Sequence, residues 1–457
     1  MLDDAPATTY DPDTAYIRAG PDVLDAGTSS AEQATPAAPP RKTGSFFAPL
    51  RVANFRRLLA GQTISRLGDQ FYFVAIPWLV LHITRSPLAL SLVLGASAVM
   101  LGLFTLIGGV LADRFGPRAL MLGSDTARLL IMVALAALAV FVPVPPLWSL
   151  VALSALLGIA TGLFYPASSA ITPHLVDADD LQAANSFEQL TLQTSNFVGP
   201  GVAGALLGVT QLALGFVVDA ASFVVSVVTL VFIRPPKRTV AQPHSSAESA
   251  PKPAAGLASL GEAVGYLRRT PFLLTILGLS LLGNFAMNGL VEVGLPLLLK
   301  QWVGIADGPR AMGIVIGGFG FGSILGAVAA GVAGRLRHKA IAAIFLLLPT
   351  LAFTVLTPIV GAVLPLAFDW ALLGVFLAAS NVLFITVIQR FIPLEMMGRM
   401  MSLVMLGSFV GGPLSIFAYG ALATIVPGVD WLFWIGAGLL GIGLALALTK
   451  KVIWQTV

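Results

Sequence analysis

Arg66 and Asp69, Asp125 and Arg128, Asp219 and Glu292 stand inside stretches otherwise built from Ala, Leu, Val, Ile and Gly. An ionisable group at the centre of an apolar membrane span costs at least ~2.5 kcal/mol, so each of these is either paired or retained for a function. Arg66 and Asp69 are three residues apart, which puts them on one face of a helix. They read as a structural ion pair, or as a proton site in which Asp69 is the carrier and its proton affinity moves with burial and with the distance to Arg66. Asp219 and Glu292 are further proton-coupling candidates. Glu292 continues a stripe of Asn284 and Asn288 at steps of four, and such a polar stripe faces a cavity or another helix rather than lipid. Asn381 and Gln389 are weaker cavity candidates, because amides are often satisfied locally. Asp125 and Arg128 repeat the three-residue spacing near the start of the third apolar span, where a role in supporting the adjoining loop is expected.

Other chemistries are poorly supplied. The chain has no cysteine, which removes disulfides, thiolate metal sites and cysteine nucleophiles. Its histidines, His82, His174, His244 and His338, are scattered and form no metal set. The glycine-rich run from Gly313 to Gly326 has no strand before it and reads as helix packing rather than a phosphate loop. No catalytic residue, cofactor or metal is therefore expected, and an enzyme is disfavoured for want of a clustered nucleophile and base.

The elements that hold these residues follow from composition. The chain is 57% hydrophobic and 11% charged, with a mean hydropathy of +0.90, so its surface is expected to be buried in lipid. Apolar runs of bilayer-spanning length recur twelve times from Leu58 onward, six on each side of a polar break. The expected organisation is a disordered tail over 1–45, a first six-helix bundle over 46–233, a linker over 234–270, a second bundle over 271–450 and a tail over 451–457. Arg and Lys concentrate on the side of both termini and the linker, while the opposite breaks offer Arg85, Lys300 and Arg310. This asymmetry predicts a multi-pass inner-membrane protein with both termini and both tails cytoplasmic. The two halves carry similar marks at similar separations: charged turns after spans two and eight, and Gly-Pro pairs at Gly199-Pro200 and Gly412-Pro413. They predict duplication of a six-helix unit.

One turn departs from what topology requires. In GGVLADRFGPR, Gly108 and Gly109 are expected to end the second helix, leaving Asp113 and Arg114 in a turn with Gly116-Pro117 before Arg118 opens the third. Topology explains the bases but not the acid. The pattern Gly109-x-x-x-Asp113-Arg114-x-Gly116-x-Arg118, with the six-plus-six layout, resembles the major facilitator superfamily. That resemblance implies an all-α membrane fold of twelve helices in two pseudo-symmetric bundles. It also implies a conformational latch joining Asp113, Arg114 and Arg118 to the start of helix eleven, marked by Arg399 and Ser402. A carboxylate at a helix N-terminus is worth about 0.3–1 kcal/mol, enough to bias two states and weak enough to release. The second half has Gly334 where the acid would stand.

Asn196, Gly199, Pro200 and Gly204 in helix five resemble the Gly-Pro motif of that superfamily's drug:proton antiporters, without its leading glycine and one of its closing pair. Ser65 to Val80 and Pro393 to Leu403 resemble its exporter branch, which includes bacterial macrolide efflux proteins and the enterobactin exporter. The resemblance implies alternating access and export of an amphipathic drug, macrolide or siderophore-like molecule, with a proton gradient in place of a cofactor. The alternative is a lipid or lysophospholipid flippase of the same fold, needing a lateral opening and a basic headgroup pocket, for which Arg66 and Arg128 are the bases on offer. Expected partners are the bilayer, protons and one small substrate, with no nucleic acid and a monomeric state.

Overall fold

Runs of Ala, Leu, Val and Ile longer than a bilayer is thick, interrupted by proline, glycine or short polar links, fold here as long helices. The computed structural model describes residues 46–233, 265–332, 339–392 and 394–450, and for 390, 391, 394–399, 401–406, 408 and 409 the backbone alone. The tails and most of the linker, with Gly334, lie outside the described residues. The last part of the linker, 265–269, is a short helix.

The first six long helices are α1 (Ala53–Thr84), α2 (Pro87–Phe115), α3 (Pro117–Phe141), α4 (Leu147–Ile171), α5 (Leu181–Leu207) and α6 (Leu212–Phe232). Next comes α7 (Pro271–Val303), which is α-helical over Pro271–Gly289, π-helical over Leu290–Gly294 and α-helical again over Leu295–Val303. The last five are α8 (Gly308–Val332), α9 (Lys339–Leu356), α10 (Val363–Phe391), α11 (Leu394–Ile425) and α12 (Asp430–Thr449). Among the described residues nine of these segments are long and apolar enough to span a membrane. The others are α1 and α5, diluted by polar residues that matter below, and α11, whose described apolar part is Val410–Ile425.

Helix ends are set by local chemistry. Ser86 caps α2, its hydroxyl accepting from the Ala89 N–H at 3.3 Å, and Pro87 supplies the first residue, where a missing N–H costs nothing. At the other end α2 does not stop at Gly108 and Gly109 as expected. It runs on to Phe115, so Asp113 and Arg114 lie in its last turn. Gly116 alone joins α2 to α3, at φ 85°, a left-handed conformation that glycine adopts without strain. Gly108 continues the helix because it packs on α4, where an added Cβ would come within 2.6 Å of Pro166.

The twelve helices form two six-helix bundles with matching internal contacts. In the first, α2 packs on α4, α1 on α5 and α6, and α3 on α4 and α6. In the second, α8 packs on α10, α7 on α11 and α12, and α9 on α10 and α12. Adding six to each helix number converts the first set into the second. The same operation relates the two seams between bundles, α5 against α8 and α11 against α2. These seams close at one face of the molecule, here called the far face because the described chain begins and ends at the other. There Gly204 of α5 meets Gly313 of α8 so closely that a Cβ on Gly204 would lie 2.6 Å from the Gly313 Cα. Gly308 packs against Trp78, Gly95 against Phe417 and Gly420 against Ser91. Lys300 Nζ donates to the Arg85 carbonyl at 3.5 Å across the same end. Toward the near face α2 and α11 part, leaving an apolar cleft of about 330 Å³ lined by residues such as Leu103, Leu106, Val410 and Leu414.

Candidate functional site

Between the bundles, below the far-face closure, lies a cavity of about 570 Å³. The first bundle contributes Asp69, Gln70, Tyr72 and Phe73 from α1, Tyr165 from α4, and Gln193, Asn196 and Pro200 from α5. The second contributes Val291 and Glu292 from the π-helical turn of α7, Ile316 and Phe319 from α8, and Trp370 from α10. Asp69 and Glu292, both proton-coupling candidates, line this same cavity. A π-turn inserts a residue into the helical repeat and is a recurrent feature of functional sites. Here its buried members Leu290, Val293 and Gly294 anchor it in the core while Val291 and Glu292 reach the cavity.

The helix-five motif divides its work by position. Asn196 faces the cavity and accepts from Gln70 Nε2 at 3.3 Å. Gly199 leaves room for the Gln70 side chain, while Pro200 lines the cavity and turns its carbonyl toward Gly313. Gly204 lets α5 and α8 touch.

Behind Asp69 the first bundle buries an ionic cluster that local spacing did not reveal. Arg128 and Asp125 of α3 are 2% and 0% exposed and form an ion pair at 3.3 Å. Ser226 of α6 donates to the other Asp125 oxygen at 2.6 Å. The Arg128 guanidinium lies over the rings of Phe164 and Phe223, at 4.3 and 5.4 Å from their centres, which is where a cation is favoured on an aromatic face. Asp219 is also buried and receives the Ser222 hydroxyl at 3.3 Å. It approaches α1 at Gly68, where an added Cβ would stand 2.8 Å from its carboxylate. Asp69, Asp125 and Asp219 all lie within electrostatic reach of Arg128. Asp125 and Arg128 therefore face this cluster, on the side of Asp69 and α6, and not the loop at Asp113.

Arg66 is placed differently from its expected partner. Among the described residues it forms no ion pair with Asp69, although that acid is within electrostatic reach. Its guanidinium donates to the Glu188 carbonyl oxygen at 3.0 Å and to Gln62 Oε1 at 2.8 Å. Gln62 donates in turn to Ser168 at 2.9 Å, and Thr172 donates to the Glu188 carboxylate. Sharing a helical face brings Cβ atoms near each other, but a long guanidinium reaches the partner that neighbouring helices offer.

The polar residues of the second bundle separate. Asn284 and Asn381 line a smaller cavity of about 90 Å³ together with Ser280 and Ser380. Asn288 instead donates to the Asn284 carbonyl at 2.8 Å, and Gln389 is exposed away from both cavities. The stripe at steps of four breaks because the π-turn shifts the helical phase between Asn288 and Glu292.

At the near face, Asp113 is exposed and has no partner among the described residues, and the Arg399 side chain lies outside them. Arg118, expected beside Asp113, donates from Nε to the Leu230 carbonyl at 2.9 Å and from Nη2 to that of Val231 at 2.8 Å. Arg57 adds a bond to the Phe232 carbonyl at 3.2 Å. Two arginines thus cap the C-terminus of α6, whose last carbonyls have no helical partner and carry the negative end of the dipole. Arg114 is exposed beside Phe115, and an added Cβ at Gly109 would meet nothing within 4 Å.

Comparison with known proteins agrees with this architecture. The family model for the Major Facilitator Superfamily matches residues 58–415. The uncharacterized MFS-type transporter YfiS of Bacillus subtilis is 26% identical over 404 residues, covering 86% of this chain and 93% of its own. The enterobactin exporter EntS of Escherichia coli O81 is 27% identical over 403 residues, covering 86% and 91%. Among solved structures, a bacterial homolog of the human lysosomal transporter Spinster, inward-facing and unoccupied, superposes with a TM-score of 0.66 at 15% identity, over 90% of this chain and 99% of that one. A bacterial homologue of the iron transporter ferroportin gives 0.61 at 16% identity, over 88% and 99%.

Proposed function

The chain belongs to the Major Facilitator Superfamily and is a multi-pass membrane transporter, and from that premise we propose that it exports amphipathic small molecules in exchange for protons. The observation that carries this reading is the cavity between the bundles, closed at the far face, with Asp69 on its wall and Arg128 behind. Such a site meets the needs of alternating access: substrate enters from the open side, and rocking about the cavity exposes it to the other. In this reading the termini and the near face are cytoplasmic, as the distribution of Arg and Lys supports. Asp69 carries the proton. While ionised it shares Arg128 with Asp125 and Asp219; when protonated it releases its share, and the cluster is free to settle differently in the two states. A ligand shifts a two-state equilibrium only by its differential affinity for the states, and the changed charge balance in this cluster supplies that difference.

The flippase alternative gains one supporting observation, the apolar cleft lined by α2 and α11 at a seam between the bundles. Against it, the described lining of the central cavity contains no Lys or Arg, and the buried Arg128 is engaged by Asp125. Transport by purified protein in liposomes under an imposed pH gradient tests both readings, with a macrolide, a fluorescent cation and a labelled lysolipid as candidate substrates. Asp69→Asn is expected to abolish gradient-driven accumulation while leaving gradient-independent exchange. Full gradient-driven transport by Asp69→Asn removes Asp69 from the coupling, and acceleration of the lysolipid alone favours flipping.

A further inference from the structure

The walls of the central cavity hold two carboxylates and, among the described lining, no base. The two acids are not in the same situation. Asp69 has Arg128 and Arg66 within electrostatic reach on its bundle side. Glu292 has no such support: among the described residues no ion pair and no hydrogen bond reaches its carboxylate, and Tyr72 across the cavity is an ionisable neighbour. A carboxylate in a low-dielectric site without a cation is costly, and a site of this kind is completed by a partner that brings the positive charge.

What lines the cavity with Glu292 fits a cation. Tyr72, Phe319 and Trp370 line the same cavity, and the last two meet edge-to-face with ring centres 6.0 Å apart. Aromatic faces carry negative quadrupole density and attract ammonium groups most strongly where water is excluded. Trp370, 1% exposed, backs Phe319 and presents little of its own ring to the cavity. The volume of about 570 Å³ is in the range of drug-sized sites.

We propose that Glu292, which shares its cavity with the rings of Tyr72 and Phe319, is the recognition carboxylate for a cationic nitrogen. The carried substrates are then amphipathic amines or quaternary ammonium compounds, and anions are excluded by the acidic lining. Division of labour follows: Glu292 selects charge, while Asp69, which has its own counter-ions, exchanges a proton. The inference rests on the transport reading for its physiological meaning, but binding tests it without a gradient.

Full-length protein in lipid nanodiscs is titrated with three probes built on one fluorophore, ending in trimethylammonium, in its neutral tert-butyl isostere and in sulfonate. The cation is expected to bind the wild type at least about tenfold more tightly than the neutral isostere, and the sulfonate most weakly. Glu292→Gln brings the affinity for the cation down toward that for the isostere, and Glu292→Asp restores part of the preference. Equal binding of cation and isostere by the wild type, tighter binding of the sulfonate, or full preference in a Glu292→Gln protein that elutes and melts like the wild type overturns the proposal. Should Glu292→Gln not fold, the wild-type comparison decides alone. If the cation binds through Glu292 but no pH gradient drives it, the export reading fails and this inference stands. If a gradient drives only neutral or anionic solutes, the reverse holds.

Discussion

Arg128 is the residue on which most of the buried charge depends. Its guanidinium has one acid in direct contact and two more within reach, and two aromatic faces hold it in place. Removing one member of a buried ion pair strands the other, at a cost of about 3–5 kcal/mol. Arg128→Gln is therefore expected to lower the melting temperature in detergent strongly, whereas Asp125→Asn, which leaves Arg128 with Asp69 and Asp219, should lower it less. Equal melting of the two would mean that Arg128 serves Asp125 alone. The acids themselves were legible in the sequence, because a carboxylate within an apolar run has no place facing lipid. Their partners were not. Ser226 and Ser168 are ordinary residues until α6 and α4 bring them to Asp125 and to Gln62 of the Arg66 network, and Arg118 reads as a turn residue until the end of α6 arrives beside it.

At the scale of the element, apolar periodicity told where lipid begins and ends, while the helices obey a different limit. The first helix begins at Ala53, ahead of the apolar run, because Arg56 and Arg57 lie in water and are good helix formers there. The π-turn in α7 left no mark that composition could reveal, and it is the reason that Asn288 and Glu292 do not share a stripe. The meeting of α5 and α8 was half legible: Gly204 and Gly313 announced close packing, but not against each other. A larger side chain cannot be housed there, since a Cβ on Gly313 would stand 2.6 Å from the Pro200 carbonyl oxygen and 2.7 Å from the Gly204 Cα. Gly313→Leu should pry the two helices apart and raise the population open at the far face. Increased reactivity of a cysteine at Trp78, which packs against neighbouring Gly308, would register it. Unchanged reactivity would show that the seam is not the closure.

For the whole molecule, the paired bundles were foreseen from the spacing of spans and the doubled marks, and the matching contacts within each half explain why: one six-helix unit satisfies its own packing twice. Which face is closed could not be foreseen, because a sequence encodes both states of a rocking pair. The absence of native cysteine makes that question accessible to single introduced thiols. Gln193→Cys, exposed on the cavity wall, should react with a membrane-impermeant maleimide in inside-out vesicles, and Ser91→Cys, fully buried at the α2–α11 seam, in neither orientation. Labelling of Gln193→Cys from the outside instead would reverse the assignment of faces. The closure itself is made of glycine, serine and aromatic surfaces in contact, with the stem of Arg310 against Gly208 and one lysine on a carbonyl, and among the described residues no ion pair crosses it. Lipid tails are as apolar as these surfaces, so no hydrophobic drive holds them together, only the closeness of their fit. Ionic strength, which loosens exposed charge pairs, finds no ion pair to loosen among the described residues of such a gate; it can only ease the like charges of Arg85 and Lys300 that meet across it.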